Sequence, residues 1–301
     1  MAMFRLEAKI ISRKRRGKTV TGPAAYRAGT RIEDERYGRI YDYSRRMKGV
    51  VDSRILAPEG APDWVFEPER LWNAVEAGEK RIDSQLAREF ILAVPPELSP
   101  EAQWQTAADW IQRELVARGM IAEASLHHPR TGTNPHVHVL CTMRKLEGDK
   151  FSSKKCREWN KVGLLFEQRE SWAKAVNQAL EKAGRPERVD HRSLKDRGID
   201  REPEPKIGVA ATAMERRGIE PDPKRFQEVR YVKLLNDVRS LMKSVRRQGE
   251  IKQHGVGRKW WERSIVFMNR VREVAERVAR KTWQKFLGRG KDKGSEPELS
   301  R

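Results

Sequence analysis

Apolar and polar residues alternate almost from the start of the chain, with Phe4, Leu6, Ala8 and Ile10 set against Arg5, Glu7 and Lys9. That two-residue period predicts a half-buried strand over 3–11. The period returns after residue 135, where His136, His138, Leu140 and Thr142 share one face and Val137, Val139, Cys141 and Met143 the other. Just upstream, Ile121, Ala122, Ala124 and Leu126 predict a strand ending at His127, and Pro129, Gly132, Asn134 and Pro135 the loop that returns the chain antiparallel. Two more strands are expected over 50–56 and 86–95, and RYGRIYDYSRR reads as a hairpin.

Helical spacing fills the gaps. Thr21-Gly22-Pro23, a capping hydroxyl with proline in the first turn, predicts the start of a short Ala-rich helix that reaches Gly29. Leu71, Trp72, Val75 and Gly78 predict an amphipathic helix over 68–81. Ser99-Pro100-Glu101 caps another that runs to Arg118 on a stripe of Trp104, Ala107, Ala108, Ile111 and Leu115. From Trp159 to Leu180 the apolar positions suggest helices packed on the sheet, with Gly184 as the stop.

Strands interleaved with helices in this order predict an α+β domain over 1–200, a central antiparallel sheet flanked by helices. Proline and charge over 201–205 and Pro221-Asp222-Pro223 bound a linker, taken as 201–223. A basic helical hairpin is expected over 224–287, its first arm carrying Phe226, Val229, Val232, Leu235 and Val238 and its second Trp261, Ile265, Met268 and Val271. The polar stretch 288–301 is expected to be a disordered tail.

Charge narrows the partner. A net charge of +20 and a pI near 10.2 call for a polyanion, nucleic acid before an anionic membrane. No apolar run approaches a membrane span and the N-terminus lacks a signal-peptide core, so membrane insertion is not expected and the reading is cytoplasmic. With only Cys141 and Cys156, neither in a metal motif, a disulfide framework is excluded.

The histidines carry the chemistry. His136 and His138 lie on one face of a strand about 7 Å apart, close enough to converge on one ion. The hairpin brings a third imidazole; His127, which ends its strand, is taken as the ligand and His128 as the spare. Three imidazoles without a fourth protein ligand describe an open divalent site completed by water or substrate. Glu89 stands among Ala87, Ile91 and Ala93 on its strand face, and a carboxylate there is costly unless paired. It is expected beside a ligand histidine or the metal, a salt bridge with Arg88 or another surface base being the alternative.

Tyr26, early on the Ala-rich helix, is either packing or a phenol that attacks phosphorus beside a divalent ion. Tyr37, Tyr41 and Tyr43 compete for that role, although their alternate spacing suits strand packing or base stacking. Arg13, Lys14, Arg15, Arg16 and Lys18 read as a phosphate-contacting loop, with Arg27 a further contact to the flanking backbone. Basic residues on the C-terminal helices, Arg239 and Lys243 among them, are candidates for the same duty.

Taken in order, AAYRAG, LAREFILAVP and NPHVHVLCTMR resemble the MobA/MobL (MobQ) plasmid mobilisation relaxases of the HUH superfamily of single-strand DNA nickases. The resemblance continues through WNKVGLLFEQRESWAKAVNQALEKAG and RVDHRSLKDRGI to GVAATAMERRGI, roughly the first two-thirds of the chain. It implies that Tyr26 is the nucleophile, that His127, His136 and His138 hold a divalent ion, Mg²⁺ or Mn²⁺, and that Glu89 is an active-site carboxylate. The implied substrate is single-stranded DNA at a transfer origin in the bacterial cytoplasm. Auxiliary mobilisation proteins and a type IV secretion coupling protein are the implied partners. Lys206-Ile207-Gly208 stands where relatives commonly carry His-Leu-Gly, which removes a histidine there and leaves the metal set intact. The competing readings are a rolling-circle replication initiator and a non-enzymatic DNA-binding protein with a structural ion.

Overall fold

The structure, a computed structural model, describes residues 3–13, 18–129 and 134–205, a few positions between 208 and 219, and a helix over 223–252. Lys14, Arg15 and Arg16, the second arm of the expected helical hairpin and the 288–301 tail lie outside the described residues. Two compact units divide the chain, Met1–His191 and Arg192–Arg301.

Five strands form the main sheet of the first unit: β1 (Leu6–Ser12), β4 (Val50–Leu56), β5 (Gln85–Ala93), β6 (Ala122–His127) and β7 (His136–Cys141). Their order is β1-β5-β7-β6-β4, and every neighbouring pair is antiparallel. The histidine strand β7 therefore runs down the middle, hydrogen-bonded on both sides. A hairpin forms from β2 (Arg31–Asp34) and β3 (Arg39–Asp42), so its first strand precedes the 36–46 segment expected to hold both, and the sequence pattern held no sign of a second small one, β8 (Leu146–Glu147) with β9 (Lys150–Phe151).

Helices cover both faces, as the α+β reading required. On one side α3 (Pro100–Glu114) and α4 (Val162–Lys182) close over Leu6, Phe90, Leu92, Leu126, Val137 and Val139. Trp110 anchors that layer, meeting Phe90 and Trp172 edge-on at centroid distances of 6.2 and 5.6 Å. Such pairs add roughly 0.5–1.5 kcal/mol beyond their burial. On the other side α1 (Thr21–Ala28) and α2 (Pro68–Ala77) pack with Val20, Ile32, Trp72, Leu86, Ala87 and Leu140. Strand β5 is buried at every position after Gln85 because both its faces are covered.

Several boundaries differ from the sequence pattern. Helix α2 stops at Ala77, short of Arg81, and α3 stops at Glu114, with a 3-10 turn over Val116–Arg118 completing the segment. Ser99 does cap α3, its side chain accepting from the Ala102 N–H at 3.2 Å. Thr21 does not cap α1: Val20 occupies that position, and the Thr21 hydroxyl donates instead to buried Asp34. The end of α1 matches expectation, with Gly29 in the left-handed region at φ 66° and its N–H on the Ala25 carbonyl.

In the second unit, α5 (Pro223–Lys252) is the first arm of the expected hairpin. Arg239, expected on its solvent face, pairs instead with Glu202 at 3.2 Å and Asp200 at 3.5 Å. Its charge offsets local carboxylates.

Candidate metal and nucleophile site

Strand alternation puts Val137, Val139 and Cys141 into the α3/α4 core and leaves His136 and His138 on the α1/α2 side, half-buried. The register sets His127 of β6 directly opposite His136, and His138 opposite Ser125 on one side and Ile91 on the other. The three rings meet at centroid distances of 5.5 Å (His127 and His136), 4.9 Å (His127 and His138) and 5.0 Å (His136 and His138). One ligand nitrogen from each lies within 4.8 Å of the others. His128 turns away to the opposite face, where its Nε2 meets the Gln103 Oε1 of α3 at 2.6 Å.

Each ring is tied at one nitrogen. His136 Nδ1 meets the Asn134 carbonyl at 2.8 Å, His138 Nδ1 the Glu89 carboxylate at 2.8 Å, and His127 Nε2 the Arg27 carbonyl at 2.7 Å. A neutral imidazole that donates at one nitrogen presents a lone pair at the other, so these partners select the tautomers a metal needs. Burial, with the neighbouring imidazoles adding to it, pulls His127 down to about 4, and burial also lowers His136. Rings that stay neutral at neutral pH keep those lone pairs, and the donor set fits a divalent ion.

Glu89, fully buried, sits diagonally from His138 across the β5/β7 ladder and accepts from His138 and from Arg27 Nε. Lys9 of β1, directly opposite in the register, brings its Nζ to 2.9 Å from the second carboxylate oxygen. Burial pushes this carboxyl upward, but the bonds from His138 and Arg27 and the adjacent cations outweigh it and hold the group well below the usual carboxylate range. Arg88 points to the other side of the sheet, stacking over Phe90 at 4.7 Å and reaching the amides of Asn160 and Gln168, so the Arg88 salt bridge does not form.

Two expected phosphate contacts are corrected. Arg13 is 1 % exposed, its guanidinium held by the Glu76 carboxylate and by the carbonyls of Glu79 and Arg81. Arg27 also faces inward, donating to Glu89 and to the Pro23 carbonyl at 2.7 Å, because a buried carboxylate needs a countercharge. Lys18 is exposed.

Tyr26 is 50 % exposed on α1, its ring edge-on to Tyr43 at 5.2 Å. It precedes Arg27, whose carbonyl holds His127 and whose guanidinium holds Glu89. Two of the competing tyrosines have other contacts. Tyr41 lies against Gly22, where any Cβ would come within 3.1 Å of its ring, and Tyr37 stands between Arg36 and Arg39 at 6.0 and 5.5 Å.

Sequence reasoning missed Lys9 and the cleft at the end of the sheet where β5 begins and β7 ends. That cleft, of about 1360 Å³, is lined by Lys80, Arg81, Arg144, Lys154, Lys155 and Arg157 among others. The short basic pieces around Lys80 and Lys154 lie more than seventy residues apart, and only the fold gathers them with Arg144.

The MobA/MobL family model matches residues 18–217. The conjugal transfer protein TraA of Rhizobium radiobacter is 34% identical over 261 residues, covering 75% of this chain and 23% of TraA. The mobilization protein MobL of Acidithiobacillus ferridurans is 34% identical over 257 residues, covering 75% of this chain and 67% of MobL. A solved structure from work on the molecular basis of vancomycin resistance transfer in Staphylococcus aureus superposes with a TM-score of 0.59 at 33% identity, covering 64% of this chain and all of that one. The chain thus spans about a quarter of the TraA length and two thirds of the MobL length. No helix among the described residues is long and apolar enough to cross a membrane.

Proposed function

The chain belongs to the MobA/MobL family, and on that premise we propose that it nicks and rejoins one DNA strand at a plasmid transfer origin through a 5′-phosphotyrosyl intermediate. The observation that carries the reading is Arg27: its carbonyl touches a histidine of the cluster, its side chain touches the carboxylate behind another, and its chain neighbour is Tyr26. The three-imidazole site and the buried carboxylate are thereby joined through the residue that follows Tyr26, which supports Tyr26 as the proposed nucleophile.

His127, His136 and His138 would hold the ion, and three nitrogen donors suit Mn²⁺ better than Mg²⁺, which prefers oxygen ligands. When bound, a divalent ion at these rings supplies Lewis-acid polarisation of a phosphoryl oxygen. Glu89 fixes the orientation of His138, and Arg27 keeps Glu89 ionised. The hydroxyl of half-exposed Tyr26 gives its proton to solvent as its oxygen bonds to phosphorus and the bond to the 3′ oxygen breaks, and the departing 3′ oxygen takes a proton from solvent. The product pair is a tyrosyl phosphodiester and a free 3′ hydroxyl; reversal of the same displacement rejoins the strand. The net charge of +20 and exposed Lys18 support a single-stranded polyanion as substrate. Transfer in the cell would then involve auxiliary mobilisation proteins and a secretion coupling protein, as for the conjugal transfer role that TraA's name gives it.

The test incubates the full chain with labelled single-stranded oligonucleotides that tile candidate transfer origins, across a panel of divalent ions. A covalent protein–DNA adduct that depends on the ion and maps to Tyr26 is the expected result. Cleavage without adduct would make the protein a hydrolytic nuclease, and a mobility shift without cleavage would leave only a binding protein.

A further inference from the structure

The carboxylate behind His138 is over-supplied with positive charge. Glu89 is met by Arg27, by His138 and, across the β1/β5 ladder, by the ammonium of Lys9 at 2.9 Å. Two permanent cations face one carboxylate before any metal is counted. Arg27 and His138 both bond Oε1, and Lys9 stands at Oε2, so a single donor of its ammonium answers the carboxylate.

Lys9 differs from the other two in exposure. Arg27 and His138 are 13% and 16% exposed, whereas the Lys9 side chain is 49% exposed. Its stem rises from the edge strand on the same sheet face as Glu89 and the histidines, because Lys9 pairs with Glu89 and Glu7 with Ile91. Arg5, the next cation on that face, is neutralised by Glu7 at 2.9 Å. With Arg13 and Arg27 turned inward, Lys9 is the half-exposed cation in ion-pair contact with the site's own carboxylate.

We propose that Lys9 is a DNA-contacting residue that binds a phosphate next to the scissile one and so sets where the strand lies against the histidine cluster. The proposal rests on the strand-nicking reading given above. An ammonium on a four-carbon stem can keep its ion pair with Glu89 while donating two further hydrogen bonds outward, since it carries three donors. Glu89 serves as the fixed end that aims it. No covalent step is assigned to Lys9.

The experiment uses the full chain, loaded with Mn²⁺, on an oligonucleotide that the wild type cleaves, together with a set carrying a single neutral methylphosphonate at each successive phosphate around the nick. Lys9→Met is expected to weaken binding of the unmodified strand about tenfold and to reduce the slope of log affinity against log salt by about 0.7, the value for one phosphate on single-stranded DNA. At one methylphosphonate position the two proteins should bind equally, because the contact is already gone, and Lys9→Arg should restore most of the affinity. Mn²⁺ affinity, read by calorimetry without DNA, should stay within about twofold of wild type. A Lys9→Met protein that loses Mn²⁺ affinity, or that stays weaker than wild type at every methylphosphonate position, acts only through Glu89, and the assignment fails. Wild-type binding and salt slope in Lys9→Met would also overturn it, with the nicking reading untouched. If the wild type cleaves no strand, the nicking reading falls first and this one with it.

Discussion

The Arg27 carbonyl accepts a hydrogen bond from His127 Nε2 at 2.7 Å, joining the last turn of α1 to the end of β6. Because α1 stops at Ala28, the Arg27 carbonyl lies in the final turn, where carbonyls lack helical partners. The histidine fills that vacancy, and the residue before it is Tyr26.

Replacing Tyr26 with Phe keeps the ring against Tyr43 and removes the atom proposed to form the ester. DNA binding and metal affinity should match wild type while nicking and the covalent adduct fall below detection. Tyr43→Phe should still form the adduct. Mass spectrometry of the nucleotide-bearing peptide decides between them, and attachment at Tyr43 would move the nucleophile while keeping the mechanism.

Loss of a ligand and loss of a ligand's partner should separate by size. Glu89→Gln, which leaves His138 without its carboxylate, should lower divalent-ion affinity roughly 10- to 100-fold. His136→Ala and His138→Ala should each lower it further and abolish cleavage, with the fold retained, since Val137 and Val139 carry the core side of β7. His128→Ala, whose ring bonds to Gln103 on the opposite face, should bind metal normally. Calorimetric titration with Mn²⁺ and circular dichroism on the same samples give both readouts; equal loss of structure in every histidine variant would make the ion structural.

Arg13→Met should destabilise the protein without changing the salt dependence of DNA binding. The side chain is buried against Glu76, which also accepts from the Val20 N–H at 2.7 Å, and removing one partner strands a buried carboxylate at a cost of about 3–5 kcal/mol. Chemical denaturation paired with a binding titration at several salt concentrations tests both halves. A changed salt slope with normal stability would return Arg13 to the DNA.

Glu123 gives a pH signature. Burial pushes its carboxyl up to about 7, against which the Trp72 indole N–H at 2.7 Å and Arg27 pull only part of the way back. The folded state thus holds a proton that the unfolded chain releases near the ordinary value of 4.5, and stability from this group is present below that pH and lost as pH rises towards 7. Glu123→Gln should therefore gain on wild type in thermal midpoint between pH 4.5 and 7, then run parallel above. A constant offset across that range would show that Glu123 does not change its protonation on unfolding.

The strands and the histidine face were legible because alternation is local: the six residues of β7 announce which side each ring takes. The same locality explains the failures. Arg13 reads as one of a basic run, and only the approach of α2, more than sixty residues on, turns it inward to Glu76. Lys9 reads as the solvent side of an amphipathic strand until the β1/β5 register sets it opposite Glu89. Thr21 looks like a cap because the hydroxyl precedes a proline, yet Asp34 in the following hairpin competes for it and wins. Glu89 stood out in the sequence through its apolar neighbours, and a ligand histidine was expected beside it; its other partners, Lys9 on β1 and Arg27 on α1, gave no such signal.

The central place of β7 has a consequence for how the protein breathes. Amide protons of a strand bonded on both sides and covered on both faces exchange with solvent only when much of the domain opens, so the His136 and His138 backbone belongs to the slowest-exchanging class. Tyr26 rides on an eight-residue helix at the surface of that frame. On the strand-nicking proposal, the side that would hold the scissile phosphate is bolted to a persistent part of the fold. A Tyr26 joined to the end of a DNA strand could then shift through faster, local openings without disturbing the histidines it would meet again at resealing.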